Sequence, residues 1–108
     1  MSGRIRLRVM AQLDTLSNLK ALESGLKAQG ICALYLFGSR ARGDARPDSD
    51  IDLAFDIAPG VKISLFDQAR MMRELSELLH SKVDFVPRRE IHPYIRAQVE
   101  AEQIKVFG

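Results

Sequence analysis

The hydrophobic pattern predicts an α/β layer fold, ordered αβαβαβα, and three observations carry that prediction. Residues 14–29 and 65–80 repeat apolar side chains at three- and four-residue spacing, the period of a helix with one buried face. Residues 31–37, 51–56 and 82–86 read as three short strands. Gly30, Pro59-Gly60 and Pro87 mark the joins. Helices alternating with strands form layers around one sheet.

The elements follow in chain order. At the start, Ile5, Leu7 and Val9 alternate with Arg4, Arg6 and Arg8. Residues 1–12 therefore read as a short edge strand or a flexible arm. A basic arm for nucleic acid would be expected to interleave aromatics, and none are present. The first helix, residues 14–29, carries Leu13, Leu16, Leu19, Leu22 and Leu26 along one face. Asp14 or Thr15 is placed to cap it and Gly30 to close it. Gly25 costs about 1 kcal/mol inside it. The strand at 31–37 is apolar enough to be buried on both faces.

Gly38-Ser39 then opens a loop or short helix, and residues 51–56 form the second strand. Ser64 with Asp67 has the form of a capping box. The helix behind it presents Leu65, Ala69, Met72, Leu75 and Leu79, and ends near His80. The third strand is KVDFV, residues 82–86. Pro93 suits the first position of a last helix, with Ile95 and Val99 facing inward. Residues 104–107 are expected as a short extended tail.

The bulk properties bound the rest. A chain of 108 residues is expected to form one domain. With 46% apolar and 28% charged residues it has the balance of a globular protein. No apolar run approaches the roughly 20 residues of a membrane span. No apolar segment follows the basic residues of Met1 to Val9, so no signal peptide is read and the cytoplasm is the expected compartment. The single cysteine, Cys32, excludes an internal disulfide and a cysteine-based zinc site, and is expected as a small core residue. A net charge of +2 is weak support for a nucleic-acid partner. Arg40, Arg42 and Arg46 share a loop with the aspartates, which suits a metal with a polyanion better than a duplex backbone.

Asp50 and Asp52 sit two apart, with Ile51 and Leu53 between and after them. In a strand both carboxylates share a face, about 6.6 Å apart at the Cα atoms. They could hold one metal ion, or a pair about 3.5–4 Å apart. Adjacent like charges repel, so such a pair calls for a cation. Gly38-Ser39 follows a strand directly, where backbone N–H groups and a hydroxyl can hold phosphate. Alone, it reads equally as an ordinary turn. It is neither a Walker A loop nor the three-glycine dinucleotide fingerprint. Asp48, Asp50 and Asp52 begin like an EF-hand, but Leu53 and Pro59 stand where glycine and glutamate are required. Asp48 reads as a turn or capping residue.

Asp84 lies opposite Val83 and Phe85 on its strand. A lone strand Asp is usually just exposed. If its strand pairs beside residues 51–56, Asp84 completes a three-carboxylate cluster able to hold two magnesium ions. His80 and His92 fall at helix ends, and nothing pairs them for zinc. Arg88 and Arg89 read as a solvated turn, whereas Arg40 and Arg42 are placed for phosphate or partner contact.

Gly38-Ser39-Arg40-Ala41-Arg42-Gly43, then Asp48-Ser49-Asp50-Ile51-Asp52-Leu53, then Val83-Asp84-Phe85-Val86, resemble the minimal nucleotidyltransferases of the DNA polymerase beta superfamily. The resemblance runs from about residue 14 to 106. It implies the polymerase beta-like nucleotidyltransferase fold, a three-stranded mixed sheet with helices packed on it. It implies ATP as donor and two Mg2+ ions as cofactor. Gly38 and Ser39 would hold the triphosphate, and Arg40 and Arg42 belong to the same nucleotide-binding loop. Asp50 and Asp52 would hold the metals. Asp84 would complete one metal site and help activate the attacking hydroxyl.

Stand-alone domains similar to this one are antitoxins paired with HEPN-domain ribonuclease toxins, and adenylylate a toxin tyrosine. The resemblance thus implies a HEPN partner, with direct nucleic-acid binding and membrane association not expected. Two other readings stand beside it. One is an antitoxin acting by binding alone. The other is an enzyme modifying a small hydroxyl compound such as an aminoglycoside, its pocket built by a homo-oligomer.

Overall fold

The computed structural model describes residues 12–46 and 49–108. The strand or arm expected at 1–12 lies outside them except for Gln12, and so does Asp48. Helix α1 spans residues 12–20 and α2 spans Glu23–Ala28. Strand β1 is Ile31–Phe37, α3 is Gly38–Arg42 and β2 is Ile51–Ile57. Helix α4 is Leu65–Leu79, β3 is Val83–Pro87, and a 3-10 turn covers Arg88–Glu90. Helix α5 is Pro93–Glu102 and β4 is Ile104–Phe107.

The strands form one mixed sheet in the order β3-β2-β1-β4. β1 runs antiparallel to β2 and β4, while β2 and β3 run parallel. The expected three-stranded sheet therefore gains a fourth strand. Residues 104–107 are that strand, paired through Leu34 with Phe107 and Leu36 with Ile104. Burial of Val106 and Phe107 explains it: the tail has apolar weight to place on the sheet.

The first expected helix breaks in two. The Leu22 N–H donates to Leu19 O at 3.0 Å, a tightened turn, before α2 restarts at Glu23. Ser17, Asn18, Ser24 and Gly25 are weak helix formers on either side, so the ladder yields there. Asp14 and Thr15 lie within α1 rather than capping it, and Leu13 faces solvent, 57% exposed. Leu19 and Leu26 keep their expected burial. Gly30, at φ +96, closes α2 as expected.

The α4 capping box forms: Asp67 N–H donates to Ser64 Oγ at 3.0 Å and Ser64 N–H to Asp67 Oδ2 at 3.1 Å. The buried stripe is rotated from the expected one. Met71 and Leu75 are buried, whereas Leu65 and Met72 are exposed. Adjacent methionines cannot be ranked by periodicity. Polar anchors decide: Gln68 Nε2 donates to Phe85 O at 3.0 Å, and Val83 N–H donates to Ser76 Oγ at 3.2 Å. In α5, Val99 is buried but Ile95 is exposed, because Ile91 just before the helix fills the core there.

Both sheet faces are covered. On one, Leu34, Leu53, Phe55 and Phe85 pack with Leu19 and Met71 of the helices. On the other, Tyr35 and Ala54 pack with Ile91 and Val99. Cys32 is only half-buried, its Sγ donating to Asp56 O at 3.4 Å, rather than a core residue. Among the described residues no helix is long and apolar enough to cross a membrane.

Candidate active site

The site forms where β1 turns into α3. Phe37 is still extended, and Gly38 takes a left-handed φ of +72. Any Cβ at Gly38 would crowd Asp52, reaching within 3.2 Å of its Cγ. Glycine is thus required twice, by conformation and by space. The short helix that follows is closed by Gly43 at φ +79. Gln12 braces its end, its Nε2 donating to Ala41 O at 2.8 Å. No sequence pattern marks Gln12, because its partner lies 29 residues away.

Register supplies the acidic pair. Phe37 pairs with Asp52, and Asp52 pairs with Asp84 across the parallel strands. As partners in that register, Asp52 and Asp84 share one sheet face. Burial pushes the Asp52 carboxyl up to about 6, helped by the neighbouring acids Asp84 and Asp50; Arg42 pulls the other way. At neutral pH these groups repel one another in a partly buried place. Asp50 stands just before β2, with Lys82 Nζ 3.8 Å from its Oδ2. The structure thus brings Asp52 and Asp84 together beside Gly38 and leaves Asp50 turned toward a lysine.

A divalent cation fits this donor set. The oxygens are hard and anionic, and one carboxyl is held above its usual range by burial and by its acidic neighbours. Among the described residues no three ligating groups already surround one point.

The loop arginines are committed elsewhere. Arg40 donates to Ser49 O from Nη2 at 2.7 Å and from Nε at 3.2 Å, which ties α3 to the approach to β2. Arg42 pairs with Asp44 at 3.3 Å and with Glu102 of α5 at 3.1 Å. Ser39 lies in the first turn of α3, its carbonyl accepting the Asp44 N–H.

Arg88 corrects the expectation of a solvated turn. It grips Asp56 through two bonds, Nη2 to Oδ2 at 2.9 Å and Nε to Oδ1 at 3.0 Å. Its guanidinium also lies 4.3 Å over the Tyr35 ring. The register that pairs Phe55 with Pro87 puts Arg88 beside Asp56, a signal available only once β2 and β3 are known to be parallel. His80 occupies the left-handed end of α4, and His92 Nδ1 accepts the Tyr94 N–H at the start of α5.

A small mixed sheet with helices on both faces and an acidic pair beside a glycine turn is the architecture of a nucleotidyltransferase. Residues 19–106 match the family model "Nucleotidyltransferase domain", and the chain belongs to that family. It is 33% identical over 82 residues to a protein named "Putative protein adenylyltransferase MJ0435" of Methanocaldococcus jannaschii, covering 76% of this chain and 86% of that one. The solved structure of a "putative minimal nucleotidyltransferase" is 40% identical, with a TM-score of 0.70 over 85% of this chain and 93% of the other. A toxin-antitoxin crystal structure with AMP-PNP is 25% identical, with a TM-score of 0.70 over 84% and 73% of the chains.

Proposed function

We propose that this nucleotidyltransferase is a Mg2+-dependent protein adenylyltransferase. It transfers AMP from ATP to a tyrosine hydroxyl of a HEPN-domain ribonuclease toxin in the cytoplasm, and so acts as its antitoxin. The observation that carries the reading is the Asp52–Asp84 pair on one sheet face against Gly38. The family match and the resemblance to a toxin-antitoxin structure support the direction.

In this reading the acceptor oxygen attacks the α-phosphorus of ATP, the bond to the bridging oxygen of the β-phosphate breaks, and pyrophosphate leaves. Asp84 takes the hydroxyl proton. Gly38, lacking a side chain, lets the triphosphate approach the backbone N–H groups at the start of α3, with the Ser39 hydroxyl as a further donor. Asp50, Asp52 and Asp84 hold the cation. Magnesium bound there supplies positive charge that offsets the charge developing on the phosphates and eases deprotonation of the hydroxyl. Arg40 keeps the loop in place through Ser49, and Arg42 sets α3 against α5, so both act on nucleotide binding through position.

The test incubates the chain with its partner toxin, ATP and Mg2+, and weighs the partner. The expected result is a mass gain of one or more AMP groups. Asp52→Asn is expected to slow transfer roughly 100- to 1000-fold, the several kcal/mol of charge stabilisation that such a centre supplies. An unmodified partner with the wild-type chain would refute the reading. If Asp52→Asn protected cells as well as wild type, binding alone would be the activity.

A further inference from the structure

The register that sets Asp84 beside Asp52 places a fourth charge one rung earlier. Ile51 pairs with Val83, so Asp50 stands opposite Lys82. The Ile51 N–H donates to Lys82 O at 2.9 Å and locks that rung. Alternation puts Asp50, Asp52, Lys82 and Asp84 toward one face. At that end of the face, three carboxylates and one ammonium stand together. Asp52 and Asp84 are paired across the strands, while Asp50 is turned to Lys82 Nζ at 3.8 Å.

We propose that Lys82 is an exchangeable counter-ion for Asp50. It holds that carboxylate while no cation is bound, is displaced when a divalent cation takes it, and thereby sets the cation affinity of the site. The inference rests on reading Asp50, Asp52 and Asp84 as cation ligands.

A comparison within the molecule supports it. Arg88 holds Asp56 by two short bonds and a stacked ring, with both side chains only about one-third exposed at 33% and 30%. Lys82 holds Asp50 by one long contact, the side chains 73% and 44% exposed. The first pair is permanent architecture. The second is weak, worth about five-fold at most in an equilibrium. Lysine also suits exchange: its compact ammonium rides on a flexible four-carbon stem and can leave without moving the strand.

The experiment titrates Mn2+ into the whole chain without nucleotide, and reads binding by electron paramagnetic resonance. Lys82→Ala is expected to bind about two- to five-fold more tightly than wild type. Lys82→Arg, whose fork can grip the carboxylate twice, is expected to bind more weakly. Lys62→Ala, which removes an exposed charge in the loop before α4, controls for net charge and is expected to match wild type. In parallel, acetylation of wild type read by mass spectrometry should show Lys82 labelling rise on Mg2+ saturation, with Lys62 and Lys105 unchanged. Mn2+ binding by wild type that neither Lys82 variant alters, or Lys82 labelling indifferent to Mg2+, would overturn the inference alone. No Mn2+ binding by wild type would overturn the cation reading and this inference with it.

Discussion

On one face of β2, Ile51, Leu53 and Phe55 are at most 3% exposed and pack against helices. On the other, Asp52 and Asp56 carry charge, separated by the buried Ala54. The two faces do opposite things to stability. The odd-numbered residues remove apolar area from water and hold the sheet to α1, α2 and α4. Among the even-numbered ones, Asp52 is placed where burial disfavours its charge. A second contrast lies within the charged face. Asp56 is matched by Arg88, a cation of the chain itself, whereas Asp52 is matched by Asp84, another acid. Asp52 is thus an acid that stands beside a glycine turn with another acid as its strand partner.

The contrast is broken most severely from the apolar side. Phe55 stacks on Phe85 with ring centroids 4.1 Å apart. Phe55→Ala is expected to lower the unfolding free energy by about 3–5 kcal/mol, measured by urea denaturation. A loss below about 1 kcal/mol would mean that the stack is not the pillar of this layer. Next comes the junction of the two faces. Gly38→Ala forces a left-handed alanine and crowds Asp52 Cγ, so a loss of about 2–3 kcal/mol is expected, with AMP transfer falling as well.

The smallest effect has the opposite sign. The Asp52 carboxyl is lifted from 3.8 to about 6, so its protonated form favours the folded state. That contribution is fully present below pH 3.8 and is lost as pH rises through about 6. At about 1.4 kcal/mol per pH unit the ceiling is roughly 3 kcal/mol, and partial exposure lowers it to the order of 1–2 kcal/mol. In chelator, Asp52→Asn should therefore match wild type at pH 4 and melt higher at pH 7.5. Mg2+ should stabilise wild type at pH 7.5 and leave Asp52→Asn unchanged. Equal melting of the two proteins at both pH values would erase the distinction between the faces.

Much of this was legible before folding. Alternation along 51–56 and 82–86 separates the carboxylates from the core, and Gly38-Ser39 marks the turn. The capping box at Ser64 and the His92 start of α5 follow from local chemistry. What stayed hidden depends on pairing between distant segments. The Arg88–Asp56 grip and the Lys82–Asp50 contact exist only in the parallel register of β2 and β3. Residues 104–107 become a strand only because β1 offers an open edge. The rotation of α4 turns on Gln68 and Ser76, which bond backbone atoms of a later strand.

Those two side chains have an architectural consequence. β3 borders the sheet, and a bordering strand with free amides and carbonyls is a template on which foreign chains can polymerise. Here Gln68 and Ser76 plug two of those groups, so the ribbon bearing Asp84 is partly sealed against lateral annealing.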